Sequence, residues 1–394
     1  MLPLSTNETF HYELLRVIAA TRGNGADITE VLTVAGNINP GDFESWYAEF
    51  NKLASHIHAT APDPKHKVSA RNALFRAANY YRTADFFLHG NPADPRITET
   101  WANQTACFDQ AISLLDIPGE RFEIAAAEFK IPGVFYRASK EAQLLPTLLL
   151  CSGYDGSQEE MLHMYGFAAL ERGFNVITFE GPGQPTVVRT QKIGFITEWE
   201  KVVTPVVDHC QNLAGVDSGK LILLGSSFGG FLAPRAAAFE HRLAATICVD
   251  GVYDVYASFT NGLPPVLKQL LDENNKETAD LVARKAMEQN VKLRWSAEQG
   301  CWAFCTDSPF ELLDRTKSMT MREIAKNIQC PVLVCEGEAD DFFAGQPQQL
   351  ADAIGPLATY CVLTAADAAQ GHCHVGAYDF AMRVIMDWVE DTVL

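Results

Sequence analysis

The sequence predicts an α/β protein: a doubly wound, mostly parallel sheet, preceded by a helical domain and roofed by a helical cap. Three observations predict it. Short apolar runs ending in Gly, Ser or Asp recur between residues 145 and 367, the pattern of strands buried on both faces of a parallel sheet. Helical stretches alternate with them, and strand–helix alternation builds a doubly wound sheet. Two long segments, 1–116 and about 255–325, carry helical patterning without a strand-like run.

In chain order, the N-terminal segment places Phe10, Leu14, Val17 and Ile18 on one helical face, and Leu74, Ala77, Ala78, Tyr81, Ala84 and Leu88 on another. Turn-forming stretches around residues 39, 63 and 93 separate its helices. The pattern changes near Ile117, where RFEIAAAEF and GVFYRA read as a β-hairpin, so a second domain is set at 117–394. The strands LPTLLLCSG (145–153), FNVITFEG (174–181), KLILLGSS (220–227), AATICVDG (244–251), PVLVCEGEAD (331–340) and ATYCVLTAAD (358–367) follow. Helices such as EEMLHMYGFAALER, FLAPRAAAFEH and YDFAMRVIMDWVEDTV lie between and after them. The roughly eighty residues between Gly251 and Pro331 far exceed an ordinary βα connection. They read as a cap inserted over the carboxyl edge of the sheet.

Composition narrows the function classes. The 394 residues are 47% apolar and 20% charged, with a net charge of −18. Nucleic-acid and anionic-membrane surfaces need clustered Lys and Arg, so neither partner is expected. No apolar run approaches the ~18 residues of a spanning helix, and the N-terminus lacks a signal pattern. Several of the ten cysteines fall inside apolar strands, and none has zinc spacing. Reduced thiols, a cytoplasmic setting and no metal are expected. Gly181-Pro182-Gly183-Gln184-Pro185 lacks the third glycine and the acidic partner of a dinucleotide fingerprint. It reads as a loop rimming the site, and no cofactor is expected.

The strongest local signal is Gly225-Ser226-Ser227-Phe228-Gly229-Gly230, between an apolar strand and a helix. G-x-S-x-G in that setting is the nucleophile elbow of the α/β-hydrolase fold. A strained, tight turn lifts the Ser227 hydroxyl above the sheet. Gly225 and Gly229 let strand and helix cross closely, and Ser226 is expected to be dispensable. A serine hydroxyl is a weak nucleophile that needs a base, and the base an orienting acid, in the chain order Ser, acid, His. Asp340, in a G-x-x-D just beyond its strand, is the first candidate acid, with Asp341 and Asp250 as alternatives. GHCHVG before the last helix offers His372 as base, on its place in the loop, and His374 as a competing or supporting group. The amides of Phe228 and Tyr154 are the expected oxyanion donors. Tyr154, Phe228, Phe342, Phe343 and His374 are expected to line the substrate pocket.

CSGYDGSQEE, FNVITFEGPGQP, GSSFGGFLAPRAAAFEHR, EGEADDFF, GHCHVGA and, among the helices, SARNALFRAANYYRTADFF complete a pattern. Together they resemble the fungal polyketide-shortening hydrolases of naphthol-melanin synthesis, the yellowish-green pigment type. More distantly they resemble bacterial 2,6-dihydroxypseudooxynicotine hydrolase, a carbon–carbon bond hydrolase. The resemblance covers nearly the whole chain. It implies Ser227 as nucleophile, Asp340 as acid and His372 as base. It also implies a homodimer, with substrate held between the sheet and the helical domain. Pro185 stands where the group usually has Gly, and Gly371 where an acidic residue often precedes HCH, so the substrate itself is not carried over.

The expectation is therefore a serine hydrolase of fungal secondary metabolism. It cleaves an acyl group from a small polyketide-like substrate, at a C–C bond beside a ketone. The alternatives are an esterase or thioesterase using the same residues, and a non-hydrolytic dehydratase or cyclase working through His372.

Overall fold

The computed structural model describes residues 2–394. Five helices come first: α1 (Glu8–Ala19), α2 (Ile28–Ala35), α3 (Phe43–Ala59), α4 (Lys67–Asp85) and α5 (Pro95–Ser113). Side-chain caps explain most of their starts, because the first N–H groups of a helix lack partners within it. Asn7 accepts from Phe10, Asp27 from Thr29, and Asp42 from Glu44 and Ser45. Asp94 accepts from Arg96, ahead of Pro95 in the first turn.

The strands are β1 (Glu120–Ala125), β2 (Lys130–Tyr136), β3 (Leu145–Cys151), β4 (Asn175–Phe179), β5 (Val216–Ser226), β6 (Ala245–Val249), β7 (Val332–Gly337) and β8 (Ala358–Leu363). They form one sheet in the order β1-β2-β4-β3-β5-β6-β7-β8. The hairpin pairs β1–β2 and the junction β2–β4 are antiparallel; every other neighbour pair is parallel. The β5 strand starts at Val216 rather than Lys220 because Leu145 also pairs there, across a register shift.

Strand side chains alternate between faces, and here both faces are covered. Leu148 and Leu150 join a core with Phe10, Trp46 and Phe75 of the N-terminal helices. Leu149 and Cys151 point the other way, into a second core. That core holds Val202 and Val206 of α9 (Glu200–Cys210) and Phe231 and Leu232 of α10 (Gly229–Ala237). The stretch read as one helix from EEMLHMYGFAALER is broken: α6 (Gln158–Met161) and α7 (Phe167–Leu170) flank a π-turn at Leu162–Gly166. The π-turn carries Tyr165, whose hydroxyl meets Ser226 Oγ at 2.9 Å. A short α8 (Pro185–Gln191) begins at Pro185, whose fixed φ suits a first helical turn.

Between β6 and β7 lie α11 (Val255–Thr260), α12 (Pro265–Asp272), α13 (Lys276–Met287), α14 (Val291–Ala303) and α15 (Pro309–Thr316). Leu267, Leu270, Leu271, Ala279, Ala283 and Phe310 give α12, α13 and α15 a small core of their own. The chain closes with α16 (Gln346–Ile354) and α17 (Tyr378–Val393). Among the described residues no helix is long and apolar enough to cross a membrane.

Candidate active site

The turn between β5 and α10 holds Ser227 in the left-handed region, at φ +60°. A non-glycine residue pays strain there, and the surroundings enforce it. The Ser227 N–H donates to the Val249 carbonyl of β6. A Cβ on Gly225 would run into the Gly229 carbonyl, and one on Gly230 into the Asp250 carbonyl. Strand and helix therefore cross without room for a methyl group, and the Ser227 hydroxyl is left pointing off the end of the sheet. Ser226 is not an idle neighbour: it is 4% exposed, and its Oγ lies beside Tyr165 and, at 3.5 Å, Cys373 Sγ.

Ser227 Oγ lies 2.9 Å from His372 Nε2, and His372 Nδ1 lies 2.9 Å from Asp340 Oδ2. The Asp340 carboxylate is fixed in turn by the Phe342 N–H, which donates to Oδ1 at 2.8 Å. A turn with two left-handed residues, Cys373 (φ 51°) and His374 (φ 54°), delivers the ring. Asp341 instead lines the cavity. Asp250, at the end of β6, is fully buried with Oδ2 3.2 Å from His372 Nδ1. His374 does not touch substrate space, contrary to expectation. It is fully buried, its Nδ1 donates to the Ala369 carbonyl at 2.8 Å, and it faces Asp250 rather than the cavity. The left-handed turn rotates alternate histidines to opposite sides.

The N–H groups of Phe228 and Tyr154 donate to no protein acceptor among the described residues. Gly153 brings their loops together: a Cβ there would stand 2.6 Å from the Ser226 carbonyl and 2.8 Å from the Phe228 nitrogen. Tyr154 is pinned at both ends by α14. Its hydroxyl donates to the Ser296 carbonyl at 2.8 Å, and its carbonyl accepts from Gln299 Nε2 at 2.9 Å. The loop at 181–185, expected to rim the site, lies behind it instead. Buried Gln184 donates to the Ser152 carbonyl at 2.8 Å and accepts from the Gly181 N–H, so it braces the Tyr154 loop and stands outside the lining of the cavity over Ser227.

A cavity of about 670 Å³ opens over Ser227. Tyr154, Phe228, Phe342 and Phe343 line it, as do Phe259, Leu263, Leu267 and Leu312 of the segment between β6 and β7. The sequence reading missed the wall supplied by α1: Tyr12, Glu13 and Arg16. Glu13 and Arg16 share the apolar face of Phe10, Leu14 and Val17, and charges on such a stripe are a legible sign of buried pairing. Arg16 Nε meets Glu160 Oε1 at 2.7 Å and its Nη2 meets Asp155 Oδ1 at 2.9 Å; Arg82 meets Glu160 at 3.2 Å. Glu13 lies 3.5 Å from Arg16. Three carboxyls thus face two guanidinium groups. Burial raises Glu13 to about 7, against the pull of Arg16. Burial also raises Asp155, but Arg16 and Arg82 outweigh it and hold its carboxyl below the ordinary range.

Asp250, His372 and Cys373 bring three metal-ligating atoms within 4.8 Å of one another. Asp250 already accepts two backbone N–H groups and His372 already bridges Ser227 and Asp340, so they lack the free, four-ligand geometry of a structural zinc site. All ten cysteines are free thiols.

Comparison with known proteins agrees with this architecture. A model described as the alpha/beta hydrolase family matches residues 148–379. Hydrolase acrC of Aspergillus aculeatus is 30% identical over 369 residues, covering 87% of this chain and 85% of its own. The 20-hydroxy-prefusarin hydrolase FUS2 of Gibberella moniliformis is 32% identical over 352 residues, covering 86% and 83%. The solved structure of 2,6-dihydroxy-pseudo-oxynicotine hydrolase has the same fold, with a TM-score of 0.74 over 96% of this chain and 95% of that one, at 20% identity. The resemblance stated from the motifs, to fungal hydrolases and to that bacterial enzyme, thus holds. With this sheet order, this elbow and a family match over more than half its length, the chain belongs to the alpha/beta hydrolase family.

Proposed function

We propose that the protein cleaves an acyl group from a polyketide-like ketone by serine-dependent hydrolysis of a C–C bond. The observation that carries this reading is the chain Ser227–His372–Asp340, with contacts of 2.9 Å, at the base of a largely apolar cavity. In the proposed sequence, Ser227 Oγ attacks a carbonyl of a 1,3-diketone while His372 Nε2 takes its proton. The Phe228 and Tyr154 amides hold the oxyanion. The C–C bond breaks, its electron pair goes to the enolate of the second ketone, and His372 returns the proton to carbon. Water then attacks the acyl-serine, giving a carboxylic acid and a shortened ketone. The second carbonyl makes carbon a tolerable leaving group, which is why this machinery suits such a bond.

Fungal relatives named as hydrolases support the class of reaction. A second reading, addition or removal of water without an acyl-serine, draws support from a Penicillium oxalicum relative named Hydrolyase poxO, 30% identical over 354 residues. We read the working form as a homodimer, which light scattering would report as twice 43.4 kDa. The deciding experiment offers an acylated polyhydroxynaphthalene with a 1,3-diketone side chain and identifies products by mass spectrometry. Free acid plus shortened ketone is expected, with a loss of about 10³-fold or more in Ser227→Ala. Turnover undiminished in Ser227→Ala would favour the second reading, and an untouched diketone beside a hydrolysed simple ester would move the reading to an esterase.

A further inference from the structure

His372 Nδ1 faces two carboxylate oxygens. Asp340 Oδ2 lies at 2.9 Å and Asp250 Oδ2 at 3.2 Å. The two aspartates extend the carboxyl ends of β7 and β6, neighbouring parallel strands, so their convergence follows from the order of the sheet. Asp250 is fully buried; its Oδ1 accepts from the Gly337 N–H at 3.2 Å and its Oδ2 from the Cys373 N–H at 2.8 Å. Backbone donors satisfy lone pairs, but a buried charge still calls for a cation. A chain of Ser227, His372 and Asp340 alone has no use for a second buried carboxylate.

We propose that Asp250 is a positioning residue that shares with Asp340 the task of holding the His372 ring by Nδ1 and stabilising its imidazolium. Nε2 then stays aimed at Ser227 Oγ. The catalytic consequence rests on the base role proposed above for His372, whereas the effect on the ring's titration stands apart from it. Burial raises Asp250, but the bond from His372 and the charge of His374 outweigh it and bring its carboxyl to about 2. Burial raises Asp340 more than His372 lowers it, and Asp250 adds repulsion. At His372 burial works against the cation, while Cys373, Asp340 and Asp250 favour it and hold the ring well above its ordinary value. The other groups around the ring are the Ser227 hydroxyl, Tyr12, whose hydroxyl donates to the His372 carbonyl at 3.3 Å, and Asp155 at longer range.

The test follows the His372 ring by NMR titration in full-length Ser227→Ala, alone and combined with Asp250→Asn or Asp340→Asn. Asp250→Asn is expected to lower the midpoint by about one unit or more. Asp340→Asn is expected to leave it above the free value of ~6.5, because Asp250 remains. An unmoved midpoint in Asp250→Asn, or a fall to ~6.5 in Asp340→Asn alone, overturns the proposal. If Asp250→Asn does not fold, the Asp340→Asn arm decides by itself. With Ser227 present, Asp340→Asn is expected to lose about 10²-fold in kcat rather than the ~10⁴ typical when a lone acid becomes an amide. The acid limb of kcat/KM should move to lower pH in Asp250→Asn. Full activity in Ser227→Ala would sink the proposed serine mechanism but leave the titration result to judge Asp250.

Discussion

The floor of the cavity and its roof are held by different forces. The floor comprises the elbow and the ends of β6 and β7. It is fixed by backbone: a left-handed Ser227, and glycines at 225 and 230 whose added Cβ would strike a carbonyl. The wall and roof, from α1 and α14, are fixed by side chains: Arg16 and Arg82 on Glu160 and Asp155, and the Tyr154 hydroxyl on Ser296. Backbone close approach allows almost no variation, which suits groups whose spacing must be kept to tenths of an ångström. Buried charges allow the shape to change, provided their partners change with them. In this chain the proposed chemistry sits on the rigid half and the substrate-facing surface on the exchangeable half.

That contrast breaks first at Gly230. Gly230→Ala is expected to cost about 4 kcal/mol or to prevent folding, because the rigid Asp250 carbonyl occupies the space. Thermal unfolding would reveal it, and a stable variant would show that close approach does not hold the floor. Next comes Arg16→Leu, which leaves Arg82 as the one guanidinium facing the buried Glu160 and Asp155. A loss of about 3 kcal/mol is expected in urea denaturation. The folded fraction should still react at Ser227 with a fluorophosphonate if floor and roof are independent.

A smaller effect separates the two halves by pH. Burial raises Glu13 from 4.5 to about 7. The folded state therefore keeps a proton that the unfolded chain has lost, and stability falls as pH rises from about 4.5 to about 7. Glu13→Gln is expected to flatten that fall by about 2 kcal/mol in unfolding measured between pH 5 and 8. Glu180, also raised to about 7 by burial, keeps part of the slope. The smallest effect is expected from Tyr154→Phe, which removes the bond to the Ser296 carbonyl. About 1 kcal/mol of stability should be lost. A several-fold rise in KM with little change in kcat would show that the roof positions substrate more than it serves the chemistry.

Much of this was legible in the residues alone. Apolar runs ending in Gly, Ser or Asp marked the parallel strands, and GSSFGG between a strand and a helix marked the elbow. The G-x-x-D after PVLVCEG and the histidines of GHCHVG were visible for the same reason, since turn chemistry and strand periodicity are written in adjacent residues. The sequence by itself thus determined the fold class and narrowed the site to a few named side chains. The tertiary structure decided which of them meet. It set Asp250 beside Asp340 because β6 and β7 are neighbours, and it turned His374 away through two left-handed residues. It also brought Arg16 to Glu160 across 144 positions of chain. Local pattern encodes which elements form, whereas contacts between distant residues depend on how those elements pack, and no spacing along the chain records that.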